Sequence, residues 1–420
     1  MQTKDYGRAY RAFVAKRKPR GGLMADRSFL SWPFLEQRHQ DLHDRVEAWA
    51  VANIARLSAD NETSAAAAAT VRLLVKEMGL AGFLATAVGG RDGSLRGPLD
   101  ARSLCICREV LARHAGLADF SFAMQGLGTG PISLFGTDEQ KERWLPSVAR
   151  GITISAFALS EREAGSDVSA LAMRAQPDGN QWRLDGAKTW ISNAGIADLY
   201  VVFARTGEAP GAKGLSAFVV EADTPGFSVP KVIDLIAPHP IGALAFDGVK
   251  VPAANMLGSP GDGFRIAMAT LDVFRSTVGA AALGFARRAL DEALKHASTR
   301  KLFGQPLSDL QLTRAKLADM ALAIDAAALL IYRAAWTKDV KGVRISRESS
   351  MAKLFATEEA QKVIDSAVQI FGGLGVTHGH IAEKLYREIR ALRIYEGASE
   401  VQKLVIATRL LADFNSKNPA

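Results

Sequence analysis

The chain has 420 residues, 48% of them hydrophobic and 23% charged, a composition that belongs to a folded globular protein and excludes a disordered one. No uninterrupted apolar run reaches the ~18 residues a spanning helix needs, so membrane insertion is not expected. The formal charge of +8 is concentrated at the start, where Lys4, Arg8, Arg11, Lys16, Arg17, Lys18 and Arg20 face only Asp5; the rest of the chain is close to neutral, which argues against nucleic acid as a partner.

Residues 1–26 read as a basic, disordered arm: they lack the apolar core of a secretory signal, and Met24 offers a second start. Residues 27–154 read as an N-terminal α domain, punctuated at "MGLAGF", "GGRDG" and "GLGTG". The alanine run 65–69 leads into "TVRLLVKEMG" as one helix. In "TDEQKERWLPSVARG", Thr137 and Gln140 form a capping box, and Gly151 lies past the helix end. The period then changes. Over 155–260, "ALAMRAQ", "QWRLDG", "KTWIS", "LYVVFAR", "LSAFVVEA" and "GALAFDGVKVP" are short β-type runs between turn signals, predicting a mostly antiparallel β domain. Residues 261–420 return to helices, at 263–298, 308–340 and 346–371, with Ser346 as a start and Gly372 as a stop. A last helix begins near Ser399, where Ser399 and Gln402 are placed to form another capping box. The class is α+β, in the order α, β, α.

Cys105 and Cys107 are the two cysteines. Two residues apart on a predicted helix, they point to different faces. This spacing supports neither a disulfide framework nor a metal site, and a reducing, cytoplasmic compartment is expected. Metal-type spacing of histidines and acids is missing, so no metal is expected; His39 and His43 read as a solvated pair one turn apart. GxxxxGK[ST], HExxH and GxSxG are absent from the sequence, which disfavours phosphoryl transfer, zinc hydrolysis and serine hydrolysis. "GLGTG" at 126–130 follows a helix-like stretch, so the strand context of a dinucleotide fingerprint is missing.

Three stretches carry positive signals. "FALSEREAGSD", 157–167, offers hydroxyls and a flexible backbone at the first step into the β domain, suited to a phosphate or heterocycle. "KTWISNAG", 188–195, places an aromatic face two residues before a hydroxyl at a strand end. "IYEGASEVQ", 394–402, sets Glu396 between an aromatic ring and a glycine, ahead of a helix.

With "STRKLFGQPL" and "QIFGGLG", and in this order, these stretches resemble the acyl-CoA dehydrogenase family from about residue 30 to 412. The resemblance implies a helical domain, a central antiparallel β domain and a C-terminal four-helix bundle, with FAD as cofactor and an acyl-CoA as substrate. It places Phe157, Leu159 and Ser160 at the flavin pyrimidine edge and Ser166 at the pyrophosphate, also near substrate. Trp190 and Ser192 would flank the isoalloxazine. Arg300, Phe303, Gln311, Gln369, Gly372 and Gly373 would reach the FAD of a neighbouring subunit in a homotetramer or dimer; Ser399 is assigned to the cofactor side. Asp272 and Arg275, with Gly397, fall where the family holds the CoA portion and steadies the catalytic loop. Three departures stand out: Arg162-Glu163, Ala398 in place of a frequent threonine, and "APHP" at 237–240.

A thioester α-proton is only weakly acidic, so dehydrogenation needs a base aimed at Cα and a hydride acceptor beside Cβ. Glu396 fits the first role, and the resemblance implies flavin N5 for the second, with the carbonyl polarised by the Glu396 N–H and a ribityl hydroxyl. Some relatives carry the base just before the position of Arg275; here that residue is Phe274, which cannot serve. The expected product is a trans-2-enoyl-CoA, with electrons leaving to an electron-transfer flavoprotein. The competing readings are a same-fold oxidase that uses oxygen and a flavin-bearing nucleic-acid-binding relative. The acyl end would meet "FSFAMQGLG", 120–128, where Phe120, Phe122, Met124 and neutral Gln125 favour monocarboxylic over dicarboxylic groups.

Overall fold

The structure, a computed structural model, describes residues 26–58, 62–90 and 94–417; the expected basic arm lies outside them up to residue 25. The first helical layer comprises α1 (Gln37–Leu57), α2 (Ser64–Leu80), α3 (Leu84–Val88), α4 (Ala101–His114), α5 (Gly116–Phe135) and α6 (Asp138–Ala149). Local chemistry starts several of them. Thr137 and Gln140 make the reciprocal capping box of α6, and Thr63 caps α2 by accepting from the Ala66 N–H at 3.2 Å.

His39 and His43 are not solvated. Both are buried, because α1 turns its His39, Leu42, His43 and Val46 face into the domain. The His39 Nδ1 accepts from the Glu36 N–H at 2.9 Å, completing a second capping box, and its Nε2 lies 3.3 Å from Asp100.

The middle layer is an eight-stranded sheet: β1 (Ser155–Ala158), β2 (Arg174–Asp178), β3 (Gln181–Ser192), β4 (Leu199–Arg205), β5 (Leu215–Glu221), β6 (Phe227–Val232), β7 (Ile241–Pro252) and β8 (Met256–Leu257). The path runs β6-β7-β3-β2-β4-β5-β8, with β1 beside β4. "QWRLDG" and "KTWIS" prove to be one bulged strand, and β1, β6 and β8 extend the predicted set. Most pairings are antiparallel, but β1 runs parallel to β4, and β2 meets β4 at a parallel Arg174–Arg205 pair.

The C-terminal layer holds α7 (Gly263–Thr299), a hairpin of β9 (Lys301–Leu302) and β10 (Gln305–Pro306), then α8 (Gln311–Trp336), α9 (Ser346–Phe371), α10 (Ile381–Leu392) and α11 (Ser399–Lys417). Helix α10 was not anticipated as a separate element. Helix α7 is apolar and long enough to cross a bilayer, yet 89% of its most apolar window is buried within the fold, as a central bundle helix requires.

Two caps differ from expectation. Ser346 sits inside α9, whose start has no side-chain cap, and its hydroxyl donates to Asp272 at 2.6 Å instead. Ser399 donates to Glu358 at 2.5 Å, while the Gln402 side chain turns back to the Gly397 carbonyl at 2.9 Å, so no capping box forms. Gly372 does stop α9, at φ +61°. Cys105 and Cys107 are free and buried, and burial pushes both thiols up.

The "GLGTG" glycines serve packing. All three lie inside α5. A Cβ at Gly126 would meet the Phe274 ring at 2.8 Å, one at Gly128 the Ser155 hydroxyl at 2.5 Å, and one at Gly130 the Thr270 methyl at 2.8 Å. Small residues thus let α5 lie directly on α7 and β1.

Candidate active site

The sheet edge assembles the first group of expected residues. In β3 one extra residue is inserted between the pairs Lys188–Leu244 and Ile191–Gly242. Trp190 in that bulge takes φ +59° and leaves its ring 59% exposed, the re-aiming of a side chain that bulges provide. The Thr189 N–H donates to the Ser160 carbonyl at 3.0 Å, bringing Ser160 to the part of β3 that carries Trp190. Phe157 is partly buried against Phe203 at 5.0 Å between centroids, Leu159 is buried, and Ser166 is exposed.

Lys188 and Glu161, which the sequence reading did not single out, hold this edge together. The buried Lys188 ammonium donates to the Leu159 carbonyl at 3.0 Å and to Glu161 at 2.8 Å. Burial pushes that ammonium down to about 8, with Glu161 opposing. Glu161 also accepts from the Ala172 and Met173 N–H groups at 2.7 and 3.1 Å. The neighbouring Arg162 and Glu163 are at least nine-tenths exposed and face each other at 3.5 Å, so this sequence departure leaves the clamp untouched. A flat, aromatic-walled edge with hydroxyls and backbone groups fits a flavin.

The second group surrounds Glu396. Glu396 has φ +53° and Gly397 φ +92°, a backbone that only glycine adopts without strain. One Glu396 carboxylate oxygen, Oε2, is buried without a hydrogen-bond partner. Burial pushes its pKa up, while Arg108, Lys353 and Arg275 draw it down and Asp119 adds to the rise.

Arg275 donates to Asp272 at 2.8 Å, and Asp272 also receives Ser346. The buried Arg275 Nε has no partner. Ser399 is buried and anchors α11 through Glu358, which Arg393 also contacts at 2.9 Å. Phe274 is buried against α5 and carries no base.

Behind Glu396 lies a buried ion pair that sequence reading missed. Arg108 on α4 grips both Asp119 oxygens at 2.8 Å and donates to Thr277 at 3.0 Å. The cation is held well above its ordinary range by Asp119, against the desolvation that opposes it. The "APHP" segment joins the same region. His239 lies 2.9 Å from Glu388 and edge-on to Phe120 at 4.7 Å, while the Pro240 carbonyl accepts from the Asn193 N–H at 2.7 Å.

The third group is not brought to this site. Phe303 and Gly304 form the tip of the β9–β10 hairpin, with φ +52° and +79°, and the Phe303 ring is 87% exposed. Arg300 lies 25 residues beyond Arg275 along α7, roughly 38 Å at 1.5 Å per residue. It neighbours the α9 end instead: its backbone N–H donates to the His296 carbonyl at 2.8 Å, and the His296 ring packs on Phe371 at 4.5 Å. Arg300, Gln311, Gln369, Gly372 and Gly373 are all exposed there.

A fold of helical, sheet and helical parts that carries an aromatic-walled sheet edge and a buried loop carboxylate faced by Arg108, Lys353 and Arg275 is the class this geometry defines. Residues 36–152 match the N-terminal domain of acyl-CoA dehydrogenases, 156–249 the middle domain and 261–411 the C-terminal domain. The chain is 43% identical to the rat mitochondrial short-chain specific acyl-CoA dehydrogenase over 346 residues, 81% of this chain and 83% of the relative. The solved butyryl-CoA dehydrogenase of Megasphaera elsdenii superposes with a TM-score of 0.81 at 35% identity, over 90% of this chain and 99% of that one. A glutaryl-CoA dehydrogenase from Mycobacterium smegmatis, in complex with FADH2, gives 0.80 at 29% identity, over 90% and 96%. The chain belongs to the acyl-CoA dehydrogenase family. It is an oxidoreductase, and its cofactor is FAD.

Proposed function

We propose that the protein converts an acyl-CoA thioester to the trans-2-enoyl-CoA, with Glu396 removing the α-proton. The observation that carries this reading is the Glu396 carboxylate itself: one oxygen is buried without a partner, on a left-handed loop. A base held this way accepts a proton without first breaking a bond to the protein. When bound against the Trp190 edge, FAD supplies the acceptor for the hydride that leaves Cβ. The Glu396 N–H is assigned to the thioester carbonyl, and Asp272 and Arg275 to the CoA side.

The acyl group is proposed to be monocarboxylic and short. Phe120, Phe122 and Met124 are buried, and Gln125 is committed to the Ser155 N–H at 3.1 Å. The nearby cation, Arg108, is neutralised by Asp119, so a second substrate carboxylate would lack a counter-ion. The short-chain relative supports the same size class. Across a panel of acyl-CoA thioesters, short monocarboxylic members should bleach the bound flavin fastest. A clear preference for glutaryl-CoA would overturn the assignment.

Electrons are proposed to leave to an electron-transfer flavoprotein. Flavin bleached by substrate should stay bleached in air until an acceptor is added; stoichiometric peroxide would instead make the protein an oxidase.

Arg300, Phe303, Gln311, Gln369, Gly372 and Gly373 are proposed to complete the FAD site of a neighbouring subunit. The distance of Arg300 from Arg275 along α7 supports this, as do the exposed apolar side chains around the group, Phe303, Leu312, Leu374 and Val376. Light scattering on the FAD-loaded protein should give a tetramer or at least a dimer; a stable, fully loaded monomer would contradict it.

A further inference from the structure

Lys353, on α9, is wholly buried, and its ammonium donates to the Gly397 carbonyl at 2.7 Å. Among the described residues no carboxylate lies within ion-pair distance of it. The same carbonyl already receives a neutral donor, Gln402 Nε2, at 2.9 Å, and that amide also approaches the Glu396 carbonyl at 3.4 Å. Holding the loop's shape therefore does not by itself require a cation. A buried ammonium without an ion-pair partner is costly, so its charge needs an account.

Glu396 supplies one. The groups facing Lys353 are Glu396 on the loop, Arg275 on α7, Glu358 on its own helix and Glu400 on α11; burial pushes the ammonium down to about 8, and Glu396 is the largest influence holding it up. Glu396 is faced in turn by Arg108, Lys353 and Arg275, with Asp119 opposing them. Arg108 is spent on Asp119 and Thr277, and Arg275 on Asp272. Lys353 is the cation of the three without such a carboxylate partner, and it is bonded directly to the residue that follows Glu396.

We infer that Lys353 is a positioning residue for Glu396, fixing the Gly397 carbonyl so that the carboxylate keeps its aim and supplying the charge that keeps the carboxylate ionised in its buried setting. The inference rests on Glu396 being the base for its catalytic consequence, but its electrostatic part does not.

The test uses FAD-loaded protein with 13C-labelled glutamate side chains, the Glu396 carboxyl resonance being the one lost in Glu396→Gln. In Lys353→Met, which keeps an unbranched side chain and removes the charge, the Glu396 titration should move upward by roughly one pH unit. With acyl-CoA as substrate, kcat near neutrality should fall roughly ten- to a hundred-fold, with KM little changed and part of the rate recovered as pH is raised. In Lys353→Ala, added n-propylammonium replaces the missing atoms and should restore both the titration and turnover. An unmoved Glu396 titration in folded Lys353→Met overturns the inference, as does failure of n-propylammonium to restore it. Full turnover in Glu396→Gln would remove the base assignment while leaving the titration shift to decide the role of Lys353.

Discussion

Glu396→Gln should retain bound FAD and CoA affinity and lose substrate-driven flavin reduction by at least the roughly 10²–10⁴-fold that a positioned base contributes. The substitution keeps the side chain's size and leaves the loop's other contacts, the Gly397 carbonyl to Lys353 and Gln402, in place. What it removes is the proton acceptor, so the loss should fall on kcat. In the wild type, burial raises the Glu396 pKa, and the base works only when deprotonated. Activity should therefore fall as pH drops through that raised pKa, and this acid limb should vanish in the variant. Rapid bleaching at the wild-type rate would take Glu396 out of the mechanism.

Asp119→Ala should destabilise the protein by about 3–5 kcal/mol, the cost of leaving a buried charge without its partner. Asp119 and Arg108 are both buried, joined by two bonds of 2.8 Å, and after the change Thr277 alone would serve the guanidinium. Denaturation of FAD-loaded protein at fixed concentration should show the transition at much lower denaturant. Replacing the pair together, Arg108→Met with Asp119→Leu, should recover most of the loss, because apolar side chains of similar size need no counter-ion. An unmoved transition in Asp119→Ala would mean that the pair is not what holds α4 to α5.

Signals that act over three or four residues were legible in the chain. The α6 capping box, the Gly372 stop and the change from helical to alternating periodicity each place partners on the same or the next turn, so spacing suffices. Where a local signal competed with a distant partner, the distant partner won. Ser399 and Gln402 have the spacing of a capping box, yet Ser399 bonds to Glu358, 41 residues away. His39 looks polar and exposed, but Asp100, 61 residues away, lets it be buried. Trp190 stands out in the chain as an aromatic face at a strand end, but the bulge that turns it outward depends on the register against β7, which spacing does not show.

By itself the sequence determined the class of the fold, the α, β, α order, and Glu396 as a lone acid ahead of a helix and followed by glycine. Those features rest on periodicity and on residues adjacent in the chain. The tertiary structure decided what surrounds that acid: Lys353 reaches Gly397 across 44 residues, Arg108 arrives paired with Asp119, and Arg300 is carried to the far end of α7. Burial and charge at Glu396 are set by which helices pack against its loop, and packing between elements distant in the chain leaves no spacing to read.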